Sequence, residues 1–412
     1  MTGAPRRAPF VLWYAPVSTP GTISDRHALF TNNSAMFLYG LSAVLIGPTL
    51  PGMIGGLGLS LGEGGLIGSA QNAGGFLGAL VALWVADRLP RAASAVASFV
   101  LLAAALLAVS FARAYLALLL TFAATGFFIR LLDVMLNAHT GEIAGSRSGR
   151  PLSVLHMFFS IGAFVGPIVA RGIMSAGASW DEVYRYVGIA YLAVVAAGAW
   201  WIRSYVASGS RGTDPPQRPI GDDAPQRPPR RARLQVVLLG SALFFYAMHQ
   251  IGLTSWVPYF LETARGAAAD LASLGLSLYW VGIIAGRFVA SRVVERTGVA
   301  PVLIVGSFAS AAATVAAVAV ASVPAAVTLL LLAGASSGAT IPLAYSMGFA
   351  SVPGRAGGVT AVMSVIMLAG RFLSPWLIGA VADAASLVPA MTIPGLALVA
   401  SGVLVIGAAR AR

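Results

Sequence analysis

The chain has 412 residues, of which 58% are hydrophobic and 10% charged, a formal net charge of +12 and no cysteine; its mean hydropathy is +0.84. Too few ionisable groups remain to clothe a soluble globule of this size, and the lack of cysteine excludes disulfides, thiolate nucleophiles and cysteine-based metal sites. All 26 basic residues are arginine and most fall between apolar runs, so the positive charge reads as loop bias at a membrane and excludes a nucleic-acid partner.

Residues 1–27 are polar and Pro-rich, without the short apolar core and cleavage site of a signal peptide, and are expected to form a cytoplasmic tail. Apolar runs then predict membrane helices near 30–54, 63–85, 92–112, 115–138, 152–175 and 184–203, and again near 235–260, 272–294, 299–320, 325–350, 358–383 and 388–409. About 20 residues at 1.5 Å rise cross a hydrocarbon core roughly 30 Å thick. The runs are continuous and rich in Ala, Leu and Gly, without the alternation of a barrel strand. Helices are the solution that leaves no backbone group unpaired in lipid.

Between the sixth and seventh runs lies 208–233, with Pro215, Pro216, Pro219, Pro225, Pro228 and Pro229, six arginines and three aspartates. Such a segment cannot bury apolar area and is expected to be a flexible linker. The expected architecture is therefore an all-α integral membrane protein: a tail 1–27, a six-helix bundle 28–206, a cytoplasmic linker 207–233 and a second six-helix bundle 234–412. Placing both termini and the linker in the cytoplasm gathers Arg6, Arg7, Arg26, Arg88, Arg91, Arg147, Arg150, Arg203, Arg292, Arg296, Arg355, Arg410 and Arg412 on that side. Only Arg113, Arg171, Arg185 and Arg265 then lie at outer ends, the asymmetry that sets orientation in an inner membrane. The halves also resemble each other. Gly162-Ala-Phe-Val-Gly-Pro167 in the fifth helix matches Gly370-Arg-Phe-Leu-Ser-Pro375 in the eleventh, and Asp87-Arg88 after the second matches Glu295-Arg296 after the eighth, as parallel repeats require.

Of the 14 acidic residues Asp133 alone sits well inside an apolar run, where a carboxylate needs a proton or a partner. Arg130, three residues earlier, lies on the same helix face. The pair either stays closed and neutralises itself, or opens with substrate or conformation so that Asp133 exchanges a proton. Asn137, one turn on, is placed either to bond Asp133 and line a cavity or to make a helix–helix contact. His156 and His249 are candidates for substrate binding or proton relay, with a satisfied structural imidazole as the alternative. Arg371 falls near mid-depth in the eleventh helix and Arg287 in the inner third of the eighth. Three intramembrane cations against one carboxylate call for a counter-ion, and an anionic substrate gripped by arginine is one candidate. For Arg287 a structural role at the interface between halves is the favoured reading.

Together these features resemble the major facilitator superfamily, with Asp87-Arg88-Leu-Pro-Arg91 similar to its loop motif after the second helix. Within it the chain looks most like the fucose–proton symporter branch. The resemblance runs through Leu132-Asp133-Val-Met-Leu-Asn137, the fifth-helix stretch around His156 (where a fucose permease has glutamine), Phe245-Tyr-Ala-Met-His-Gln250, Gly286-Arg287-Phe288 and 375–384. It implies a proton-coupled transporter with Asp133 and Arg130 in coupling. It further implies Tyr39, Asn137, His156, Gln250 and Arg371 in substrate binding, and Asp87, Arg88, Arg91, Arg287, Glu295 and Arg296 in gating. Ala43, Val44 and Gly47 stand where the sugar permease has asparagines and an aspartate, which argues against fucose itself.

The function expected is secondary transport of a sugar-like solute or organic anion by a monomer, with protons and lipids as its other partners and no cofactor or metal. The alternatives are proton-driven export of an apolar compound, to which Gly162-Ala-Phe-Val-Gly-Pro167 bears a slight resemblance, and a non-transporting receptor or scaffold. A membrane enzyme would need clustered acids or a base–nucleophile pair that the sequence does not offer.

Overall fold

The computed structural model describes residues 23–144, 149–198, 202, 205, 206, 229–352 and 355–411. Among them all regular structure is helical: α1 (Ile23–Ala43), α2 (Ile46–Leu57), α3 (Leu61–Arg88), α4 (Arg91–Phe111), α5 (Tyr115–Ala144), α6 (Gly149–Ser175) and α7 (Trp180–Ala197) in the first half. The second half has α8 (Arg230–Arg265), α9 (Ala269–Thr297), α10 (Val299–Ala319), α11 (Val323–Ser337), α12 (Thr340–Ser351), α13 (Ala356–Ala384), α14 (Leu387–Ala390) and α15 (Ile393–Arg410).

Local sequence explains where these helices start and stop. Ser60 and Glu63 close a reciprocal capping box at the start of α3. α2 and α8 end at Gly58 and Gly266, both left-handed with φ of 64°. α8 begins directly after Pro229, which opens a helix well because its missing N–H is one the first turn leaves unpaired anyway. Arg230 to Arg233, placed in the linker on composition, are thus helical. The remainder of the linker and residues 1–22 lie outside the described residues.

Among the described residues ten helical segments are long and apolar enough to cross a membrane, three of them built from two helices in series: Asp25–Leu57, Val323–Ser351 and Leu387–Arg410. The other two spans are α3, diluted by glycine and the polar pair Gln71-Asn72, and α7, which carries Asp181, Glu182 and Arg185 in its first two turns. The runs expected to be continuous at 30–54 and 325–350 are broken. Breaks fall at Val44-Leu45 and Gly338-Ala339, four residues before Pro48 and Pro342, where each proline lacks the N–H that would bond the preceding turn.

In the first half α1 packs on α6, α3 on α5, and α4 on α5 and α7; in the second, α8 packs on α13 and α15, α9 on α11, and α10 on α11 and α15. The duplication is visible atom by atom. Gly74 and Gly78 let α3 approach the backbone of Ala123 and Phe127 on α5, and Gly126 meets the carbonyl of Gln71. In the second half Gly282 and Gly286 meet Leu331 and Ala335, and Gly334 meets Tyr279, all at one constant offset in numbering. Small residues at such crossings are what membrane helices use to bring backbones together. The halves touch where α3 meets α13, α6 meets α9 and α2 meets α8.

Candidate functional site

Hydrogen bonds between the halves, among the described residues, run from one end of the molecule to mid-depth. At the end remote from α1's start, the Asp383 carboxylate accepts from the backbone N–H of Leu61 at 2.8 Å and Gly62 at 2.7 Å. It caps α3 from the other half. At the equivalent place in the repeat, Asp270 accepts from Arg171 Nε at 2.5 Å and Ser175 Oγ at 3.3 Å. One layer deeper, Ser69 donates to the Phe372 carbonyl at 2.6 Å and Ser277 donates to the Phe164 carbonyl at 2.9 Å. These four residues obey the same repeat offset as the glycine crossings. The innermost bridges are Arg371 Nε to Asn72 Oδ1, 3.3 Å, and Arg287 Nη1 to Ser160 Oγ, 3.2 Å.

Immediately inside this seal lies a cavity of about 630 Å³, including the solvent at its mouth. Its polar wall comprises Tyr39, Gln71, Asn72, Arg130, Thr254, Ser255 and Arg371; its apolar wall includes Val44, Ile129, Phe159, Ile251 and Leu368. Both halves contribute. The break at Val44 brings irregular backbone to the cavity, the setting in which a membrane protein tolerates it.

Arg130 and Asp133 form an ion pair at 2.7 Å, with side chains 21% and 14% exposed. Asn137 Nδ2 donates both to the Asp133 carbonyl, at 2.8 Å, and to Oδ1, at 2.9 Å. One helix turn of α5 therefore presents a carboxylate held by a cation on one oxygen and an amide on the other. The i, i+3 and i, i+4 spacings alone produce this. Such an arrangement can release its cation when the carboxylate takes a proton, and it sits on the wall through Arg130.

The other expected site residues divide. Tyr39 and Arg371 line the cavity. Gln250 is buried behind it, donating to the Tyr246 hydroxyl at 3.1 Å. His156 is exposed on α6 and its ring makes no hydrogen bond among the described residues. His249 is fully buried with Nδ1 3.2 Å from the Pro394 carbonyl, a packing position away from the cavity wall. Arg287 donates from Nε to the Gly338 carbonyl at 3.1 Å. That carbonyl is the one Pro342 leaves without its helical donor, so Arg287 ties the break in the tenth span to Ser160 of the other half.

Of the residues expected in gating at the terminal end, Arg88 stacks over Trp84 at 4.8 Å and Arg91 pairs with Glu142 at 3.0 Å, both within the first half. Glu295 and Arg296 are exposed and form no ion pair among the described residues. The side chain of Asp87 lies outside the described residues. The bridges that hold the halves together, Asp383, Asp270 with Arg171, Ser69 and Ser277, escaped sequence reasoning, as did Gln71, Asn72, Thr254 and Ser255 on the cavity wall. A signal existed for the serines, since extending the Gly162/Gly370 register places Ser69 opposite Ser277 and Phe164 opposite Phe372.

The family model described as Major Facilitator Superfamily matches residues 33–269. An uncharacterised MFS-type transporter of Yersinia pestis is 27% identical over 261 residues, covering 62% of this chain and 63% of that protein. A TsgA homologue of Serratia proteamaculans is 24% identical over 156 residues, 38% of this chain and 37% of that protein. The curated relatives are thus matched over a third to two thirds of their length. Among solved structures, an inward-facing, occupied bacterial homologue of the human lysosomal transporter Spinster has a TM-score of 0.74 at 17% identity, covering 95% of this chain and 98% of that one. The nucleoside transporter NupG has a TM-score of 0.72 at 14% identity, covering 95% and 99%. These structural likenesses establish the fold, and with the family model spanning more than half of its length, the chain belongs to the Major Facilitator Superfamily.

Proposed function

We propose that this membrane transporter is a proton-coupled secondary carrier that moves a small polar solute through the central cavity by alternating access, with Asp133 as the proton site. The observation that carries this reading is the Arg130–Asp133–Asn137 cluster, which reaches the cavity wall through Arg130. A carboxylate that gains a proton lets go of its cation, so protonation and the charge offered to a solute are linked at one atom. The similarity of the Asp133 to Asn137 stretch to the fucose–proton symporter branch supports the same assignment. In this reading the termini and linker are cytoplasmic, the protein acts as a monomer in the inner membrane, and the sealed end faces outward.

The test is Asp133→Asn, which keeps the shape and cannot ionise. Solute binding and exchange are expected to survive. Uphill uptake driven by an imposed pH gradient is expected to vanish, because the empty carrier can no longer return without its proton. Uphill uptake that persists in this variant removes Asp133 from the coupling step and makes His156 the next residue to replace. A second reading, export of an apolar compound, draws on the apolar wall formed by Val44, Ile129, Phe159, Ile251 and Leu368. It predicts drug efflux from cells that express the chain.

A further inference from the structure

We propose that the transported solute is a hydroxylated monocarboxylic acid, of the sugar-acid type, whose carboxylate is gripped by the free end of Arg371. This rests on the reading of the central cavity as the transport site and adds the class of its cargo.

Arg130 and Arg371 both line the cavity. Asp133 is paired with Arg130 at 2.7 Å and neutralises that one of the two. Arg371 forms no ion pair among the described residues, and its one hydrogen bond is from Nε to Asn72 Oδ1 at 3.3 Å. Nη1 and Nη2 are left without a partner there. A guanidinium in the membrane interior needs a counter-charge, and a half-used fork of this geometry matches the two oxygens of a carboxylate. One surplus positive charge calls for one negative charge, which favours a monoanion over a phosphate.

The rest of the wall indicates what the anion is attached to. Tyr39, Gln71 and Ser255 line the cavity, and their side chains make no hydrogen bond among the described residues. Three polar side chains left free on the wall that also carries Arg371, two of them on buried residues, suit a ligand that brings hydroxyls. Phe159, which packs on Tyr39 at 4.8 Å, and the aliphatic residues opposite provide a surface for the carbon skeleton.

The coupling follows from the same geometry. While Asp133 holds Arg130, the anion has Arg371 alone; once Asp133 is protonated, Arg130 is released to the same space and the anion gains a second cation. Proton and anion therefore favour each other's binding, the coupling that symport of the two requires.

The experiment is thermal stabilisation of the purified full chain by gluconate, glucuronate and lactate, with glucose and glycerol as the neutral counterparts, because a ligand stabilises the state it binds. The sugar acids are expected to raise the melting temperature, more so as the pH falls, and glucose is not. Arg371→Gln is expected to weaken glucuronate binding by about 10- to 100-fold, the loss of a charged hydrogen-bonded contact, while Arg371→Lys retains part of it. Melting of each ligand-free variant reports whether it is folded. The proposal is overturned if none of the acids stabilises the protein, if glucose does so equally, or if Arg371→Gln binds glucuronate as the parent does. Asp133→Asn separates this from the coupling assignment: Arg371-dependent acid binding with intact uphill uptake in that variant keeps the cargo and removes the proton site.

Discussion

At the scale of single residues, the fold depends on glycines that have no room for a side chain beside others that have ample room. Within α5, a Cβ on Gly126 would run into the carbonyl oxygen of Gln71 on α3, whereas a Cβ on Gly141 would meet nothing within 4 Å. Overpacking a close crossing costs about 1–3 kcal/mol, and Gly to Ala in an open helical position gains roughly 0.4–1 kcal/mol. Gly126→Ala is therefore expected to lower the melting temperature and Gly141→Ala to hold or raise it. Equal effects would mean that α3 and α5 do not approach at Gly126. The residue scale is also where the site was most legible, because the Arg130–Asp133–Asn137 cluster is local: its contacts follow from spacing on one helix. The partner of Arg371 was not legible, since Asn72 lies on another half and is brought to it by the meeting of α3 and α13. Arg287 occupies an intermediate position. Its acceptor, Gly338, was marked in the sequence by Pro342, four residues on, but the pairing of the two needed the fold.

At the scale of elements, twelve apolar runs were readable because lipid demands roughly the same length of each, while the breaks at Val44 and Gly338 were hidden inside runs whose hydropathy never falters. The contacts that join the halves were hidden for another reason: they involve ordinary serines and helix ends, conspicuous only once the repeat register is laid over both halves. Asp383 is the most consequential of these. It bonds two N–H groups at the start of α3, where the helix dipole also favours an anion, and it must let go if the two halves part at that end. The exposed Arg171–Asp270 pair, with Asp270's side chain 73% exposed, adds little by itself. Asp383→Ala is accordingly expected to shift the protein toward opening at the sealed end far more than Arg171→Ala. The chain has no native cysteine, so the cavity residue Thr254 can be replaced in Thr254→Cys and its reaction with an impermeant maleimide followed from the outside of cells. Labelling is expected to rise several-fold when Asp383→Ala is added. An unchanged rate would show that the cap does not hold the end closed.

At the scale of the whole molecule, the pseudo-symmetric bridges form two matched columns, α3 with α13 and α6 with α9, related by the axis that relates the halves. Both columns stop at mid-depth, at Asn72 and Ser160. The lower parts of α3 and α6 make no hydrogen bond to the other half among the described residues, so the end where α1 starts and α15 finishes is the one through which the cavity is expected to open. A carrier built this way exposes its site to one side at a time, and opening the sealed end requires both columns to separate as units. Which side is which depends on orientation, and in the proposed reading, drawn from the arginine distribution, the terminal end is cytoplasmic. Ala176 is exposed at the sealed end between α6 and α7, and Thr297 is exposed at the other end of the molecule, at the close of α9. In the cysteine-free background, Ala176→Cys is expected to react with an impermeant maleimide applied to intact cells, and Thr297→Cys only after the membrane is permeabilised. That result places the cavity, as seen here, open to the cytoplasm and ready to discharge or collect its solute there. The reverse labelling pattern would invert the molecule, turn the same structure into an outward-open state, and leave the arginine bias without its explanation.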